Sequence, residues 1–127
     1  LSVLDASAVI AWLKDEPGAA NVQAQLDAGT AIISSINLAE VLTRFEDFGQ
    51  AARAVWNNLQ ASGLRAHPYD DAQAVASAEL RALTRSIGLS LGDRACLALG
   101  VQLGQPVYTA DRAWATLNLS VPIILIR

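Results

Sequence analysis

The sequence predicts an α/β protein: a three-layer α/β/α sandwich around a central, mostly parallel sheet of four to five strands. Three observations carry this reading. Short apolar runs, several of them rich in β-branched residues, alternate along the chain with segments of helical period. Polar residues do not interrupt these runs at every second position, as they do in strands with one wet face, so the sheet is expected to be covered on both sides. Gly29, Gly49, Gly63, Gly88 and Gly104 fall at the ends of helical segments, where a left-handed residue stops a helix.

The elements follow in order. Residues 2–5 (SVLD) read as the first strand, and residues 7–14 as a helix that Asp5 is placed to cap. Residues 18–28 form a second helix, and residues 31–35 (AIISS) a second strand. Helices over 36–48 and 50–61 flank Gly49, and residues 64–68 (LRAHP) make a weaker strand. Helices over 70–86 and 91–103 come next, and the strands PVYT (106–109) and PIILI (122–126) complete the sheet. Pro17, Pro68, Pro106 and Pro122 stand singly at element edges, and neither a repeat nor a linker is apparent. One domain over residues 1–127 is expected.

Composition narrows the class. With 53% hydrophobic and 17% charged residues the chain lies far from the disordered class, and no apolar run approaches the roughly 18 residues of a membrane helix. Cys96 is the lone cysteine, so no internal disulfide forms, and no basic segment precedes an apolar stretch at the start. The cytoplasm is the expected location. A net charge of −3 argues against a broad basic face gripping duplex nucleic acid. Acidic residues gathered into one site and loaded with divalent cations would reverse the field locally, however, and eight of the nine basic residues are arginines, suited to phosphate.

Of twelve carboxylates, eight sit at expected helix ends or polar faces, while Asp5, Glu40, Asp93 and Asp111 are embedded among small or apolar residues: VLDAS, NLAEVL, SLGDRACLALG and YTADRAW. Each has a local reading. Asp5 can cap the helix after it and Asp111 the short turn after it, Ser90 and Asp93 have the spacing of a capping box, and Glu40 precedes Arg44 by four on a helix. Asp5 and Asp111 also come directly after strands, and open parallel sheets bind ligands beyond the carboxyl ends of their strands. Four carboxylates converging there repel one another unless a cation binds. All-oxygen donors suit Mg2+ or Mn2+, whereas one histidine and one cysteine are too few for a usual zinc site. His67 reads as packing or surface, and Cys96 as a small core residue. GLSLG (88–92) matches a hydrolase nucleophile elbow, but a helical segment precedes it and the sole histidine comes earlier in the chain. No phosphate-binding glycine motif is present.

Taken in order and spacing, LDASAVIAWL, INLAEVLTRF, LSLGDRACLALG and VYTADRAW resemble the PIN-domain family along the whole chain, and within it the opening is most similar to VapC-type toxins of bacterial toxin–antitoxin pairs. The resemblance implies a PIN-like fold and a metal-dependent endoribonuclease, with Asp5, Glu40, Asp93 and Asp111 holding Mg2+ or Mn2+. It further implies that Ser7 and Thr109 support the cluster by hydrogen bonds, and that RNA is cut to leave a 5′-phosphate and a 3′-hydroxyl. The implied partners are a second copy of the chain and a small antitoxin that inserts a side chain into the metal site. Helix faces around residues 7–14 and 36–61 are candidate docking surfaces. Arg94 and Arg112, each one residue beyond an expected ligand, are candidates for substrate phosphate, or alternatively for salt bridges to the cluster. Trp12, Trp56 and Trp114 are candidates for base stacking or for core and dimer contacts. Some family members carry a further acidic residue where Arg112 to Ala115 stand here, so a second ion is expected to be held weakly.

Two other classes compete. One is a PIN-like interaction or DNA-regulating subunit without catalysis. The other is a carboxylate–Mg2+ phosphotransfer domain, but Asp5 is followed by Ala6 and Ser7 rather than a second aspartate in an Asp-x-Asp motif, and the only lysine is Lys14.

Overall fold

Five short parallel strands form the centre of the computed structural model, which describes residues 1–127. They are β1 (Ser2–Leu4), β2 (Ala31–Ser34), β3 (Arg65–His67), β4 (Val107–Thr109) and β5 (Ile123–Leu125), in the spatial order β3-β2-β1-β4-β5. Every neighbouring pair is parallel, with Val3 beside both Ile32 and Val107, and Leu4 beside Tyr108. Around the sheet lie α1 (Ala6–Leu13), α2 (Ala19–Asp27), α3 (Ser35–Asp47), α4 (Ala52–Ala61), α5 (Asp71–Glu79), α6 (Arg81–Thr84) and α7 (Leu91–Leu103).

Side chains alternate across a strand, so each strand feeds two cores. Leu4 and Ile33 point to one face and pack with Ala8, Val41, Phe45, Val55 and Leu59 from α1, α3 and α4. Val3, Ile32 and Val107 point to the other and pack with Cys96, Leu97 and Leu99 of α7 and with Trp114. This two-sided burial is why the strands lack alternating polarity. The weakest strand signal becomes β3, an edge strand whose Arg65 and Ala66 are exposed.

One expected element divides. The stretch 70–86 is not a single helix but α5, α6 and a 3-10 turn over Arg85–Ile87. The Leu80 carbonyl at the junction accepts from both the Thr84 hydroxyl (2.9 Å) and the Thr84 backbone N–H (3.1 Å), a shared contact of the kind that bends a helix, and Gly88 at φ 64° ends the segment. No helix is long and apolar enough to cross a membrane.

The topology selects one crevice. From β1 the chain moves outward through β2 to β3, then returns to the opposite flank as β4, so the strand order switches between β1 and β4. Ligands of such sheets bind beyond the strand ends at that switch.

Candidate active site

Asp5 lies at the switch. Its backbone N–H donates to the Tyr108 carbonyl of β4 (3.0 Å), which continues the sheet for one bond before α1 begins. Its carboxylate caps α1 by accepting from Ala8 N (2.8 Å), as the local reading expects. Two hydroxyls also donate to it: Ser7 (2.7 Å to Oδ1) and Thr109 (2.5 Å to Oδ2). Both hydroxyls are themselves held, Ser7 accepting from Ala110 N (2.9 Å) and Thr109 from Asp111 N (3.0 Å). Ser7 and Thr109 thus tie the end of β4 to the start of α1 through Asp5.

Asp5 is only 4% exposed and none of its partners is a cation. Burial therefore dominates and pushes its pKa from the ordinary 3.8 up to about 6, against the three donors, and the negative charge of Asp93 raises it further. This placement costs stability. Below pH 3.8 the group is protonated whether folded or unfolded. As pH rises toward 6 only the unfolded chain ionises freely, and above 6 the fold bears the whole penalty, about 3 kcal/mol. The metal-free protein should accordingly lose about 1–2 kcal/mol more between pH 5 and pH 7.5 than Asp5→Asn does, measured by urea unfolding in EDTA. Equal pH dependence in the two proteins would refute the buried charge.

Glu40 and Asp93 come from α3 and α7. Asp93 forms the expected capping box, its carboxylate accepting from Ser90 N (3.1 Å) while the Ser90 hydroxyl accepts from Asp93 N (3.2 Å). Ser90 is thereby a helix cap, and the GLSLG match comes after a 3-10 turn rather than a strand. Glu40 forms no pair with Arg44, whose guanidinium lies over the Phe48 ring. Its carboxylate rests on Gly92, where a Cβ would stand 2.5 Å from Oε2 and 2.6 Å from Cδ. The buried Cys96 thiol, one turn further along α7, is pushed up in pKa by burial and then by the charges of Asp5, Asp93 and Glu40 together. Three of the four carboxylates therefore face one region. Asp111 is further out: it is exposed and caps the 3-10 turn Arg112–Thr116 through Ala113 N (3.0 Å), joined to the others by its backbone bond to Thr109.

No basic residue neutralises this cluster. Both salt bridges in the molecule involve Glu16, with Lys14 and Arg127. Arg94 instead donates to the Ser77 carbonyl of α5 (3.0 Å), and its Nε is buried without a partner. Arg112 is exposed. The alternative that these arginines hold the cluster by salt bridges is thus not what the fold adopts. Trp114 is completely buried, Trp12 and Trp56 partly so. Beside Glu40 a cleft of about 530 Å3 opens between α1 and α3, lined by Ala6, Ile10, Ile36, Ala39, Thr43, Arg44 and Asp47.

The donor set fits a hard divalent cation. A buried anion and a second carboxylate that raises its pKa lack any counter-charge, and all available donors are oxygens. No three acidic, histidine or cysteine groups close around a single point. Mg2+, which keeps several waters and takes one or two carboxylates directly, does not require such a cage.

One participant was not legible as such in the sequence. Asn37 is 1% exposed and donates from Nδ2 to both Glu40 Oε1 (2.8 Å) and the Gly92 carbonyl (2.8 Å). The signal was positional: Asn37 begins the buried stripe of α3 that continues with Val41 and Phe45, where an apolar residue is the default.

A family model described as PIN domain matches residues 2–118. Among solved structures, a toxin–antitoxin complex from Klebsiella pneumoniae is 18% identical, covers 100% of this chain and 98% of that one, and has a TM-score of 0.75. DNA-bound VapBC from Salmonella typhimurium is 18% identical over 99% of this chain and 98% of that one, with a TM-score of 0.74. A member of the VapBC family of toxin–antitoxin systems from Mycobacterium tuberculosis is 25% identical over 98% and 97%, with a TM-score of 0.62. No curated protein matches the sequence.

Proposed function

The chain belongs to the PIN domain family, and on that footing we propose that it is a metal-dependent endoribonuclease of the VapC type, the toxin of a toxin–antitoxin pair. The observation that carries the reading is Asp5: a carboxylate buried at the sheet's switch point, oriented by three donors, raised in pKa by burial and by Asp93, and left without a counter-charge. Capping α1 does not require a buried charge, since Asn or Ser caps as well, whereas holding a cation does. The toxin–antitoxin complexes among the similar structures support the biological role.

Asp5, Glu40, Asp93 and Asp111 would hold Mg2+ or Mn2+, with Ser7 and Thr109 orienting Asp5. A divalent ion so held supplies a water of lowered pKa and stabilises charge on a phosphodiester. The remaining work falls to the protein. The hydroxyls of Ser7 and Thr109 keep the Asp5 lone pairs aimed, because each is fixed by a backbone N–H and cannot turn away. Arg112, exposed beside Asp111, is the better placed of the two arginines for substrate phosphate, since Arg94 already spends a donor on α5. The cleft between α1 and α3 reaches Glu40, and the helix faces expected to dock an antitoxin meet there. One PIN domain over residues 1–127, pairing with a second copy and acting on RNA in the cytoplasm, completes the reading.

The test is cleavage of structured RNAs by purified protein in Mg2+, Mn2+ or EDTA. Cleavage in either metal, abolished by EDTA and leaving 5′-phosphate and 3′-hydroxyl ends, is the expected result. Cleavage indifferent to EDTA would overturn the metal mechanism, and a protein that binds its partner but cuts no RNA would favour an interaction subunit.

A further inference from the structure

We infer that Asn37 is a positioning residue, which through its side-chain amide locks the Glu40 carboxylate onto the first turn of α7 so that Glu40 and Asp93 act as one donor pair for a divalent cation. The inference rests on the metal-site reading above. Glu40 is exposed and sits on a helix with three free torsions, so nothing in α3 alone decides where its carboxylate lies. Asn37 stands three residues earlier on the same helical face. Its two amide hydrogens are divided between Glu40 Oε1 on α3 and the Gly92 carbonyl on α7, each at 2.8 Å. The opposite amide orientation would turn Oδ1 toward a carboxylate and a carbonyl oxygen, so the chemistry of the neighbours dictates the one observed.

Two further features agree. Gly92 offers no Cβ, and the Glu40 carboxylate occupies that space, directly beside Asp93 in sequence. Oε1 takes the bond from Asn37 while Oε2 accepts none, which leaves an oriented oxygen for a ligand. Asn37 also keeps a buried Oδ1 without a partner, an arrangement that packing alone would replace with an apolar residue.

The experiment is Mn2+ binding, read from the electron paramagnetic resonance of the free ion, for the wild type, Asn37→Ala, Glu40→Ala and the double variant. Hydrogen-bond partners of metal ligands typically govern affinity by about 10–100-fold. Asn37→Ala should therefore weaken Mn2+ by about 10–100-fold in the wild-type background and have no further effect once Glu40 is alanine. Gly92→Ala provides a second route, because it leaves Asn37 intact, favours the helix and forces only the end of Glu40 to move. It should weaken Mn2+ over the same range. An equal loss from Asn37→Ala with and without Glu40, or unchanged affinity in Gly92→Ala, would overturn the inference. Wild-type protein that takes up no Mn2+, or Glu40→Ala that binds as tightly as wild type, would instead overturn the metal site itself.

Discussion

Asp5→Asn should lower metal-dependent RNA cleavage on the order of a thousandfold, since a correctly held ion is worth several kcal/mol at the transition state. The same substitution should make the metal-free protein more stable at pH 7.5. It removes a buried charge whose ordinary affinity for a proton has been raised to about pKa 6. The amide retains an oxygen for Ala8 N and the Ser7 hydroxyl, and presents an N–H to the hydroxyl oxygen of Thr109. Activity and stability thus move in opposite directions, whereas a carboxylate that served only as a helix cap would leave activity unchanged, because Asn caps about as well as Asp. Urea unfolding beside RNA cleavage checks both halves. An Asp5→Asn protein that is active, or inactive because it is less stable at neutral pH, contradicts the assignment.

Trp114→Ala should be the most damaging core substitution, costing about 3–5 kcal/mol. Trp114 is fully buried and packs with Val3, Leu97, Val107 and Val121, filling the core between α7 and the sheet. A small domain has roughly 5–15 kcal/mol in total, so the alanine protein should melt far below the wild type. Trp114→Phe should cost much less, because the indole N–H is buried without a hydrogen-bond partner and its removal leaves no acceptor stranded. Thermal melts of both variants decide the matter, and a loss below about 1 kcal/mol in Trp114→Ala would show that the turn carrying Asp111 is not anchored this way.

The architecture was readable because burial on both faces leaves an unambiguous mark. Runs such as SVL and AII have no polar alternation, and in the fold Val3 and Leu4, or Ile32 and Ile33, do enter opposite cores. Where the reading slipped, over residues 70–86, the cause was local. The Thr84 hydroxyl adds a second bond to the Leu80 carbonyl at the α5–α6 junction, and the apolar period continues across the break.

The candidate site was legible in part. Asp5 and Asp111 stood out by their places after strands, and Glu40 and Asp93 by being embedded among small or apolar residues, whereas the meeting of Glu40 with α7 depends on the Asn37–Gly92 contact, between residues 55 positions apart. Period and spacing carry no information about that contact. Asn37 went unread for the same reason: only the packed α3–α7 interface distinguishes a buried bridging amide from a solvated one. Arg94 likewise stands next to Asp93 in sequence, yet its guanidinium bonds to α5.

The most direct measurement is the anomalous scattering of crystals grown with Mn2+. A metal centre built on Asp5 requires a peak at the β1–β4 switch, in direct contact with Asp5 and with at least one of Glu40 and Asp93. A well-ordered ion elsewhere, with the Asp5 carboxylate touching only Ser7, Ala8 and Thr109, would contradict it.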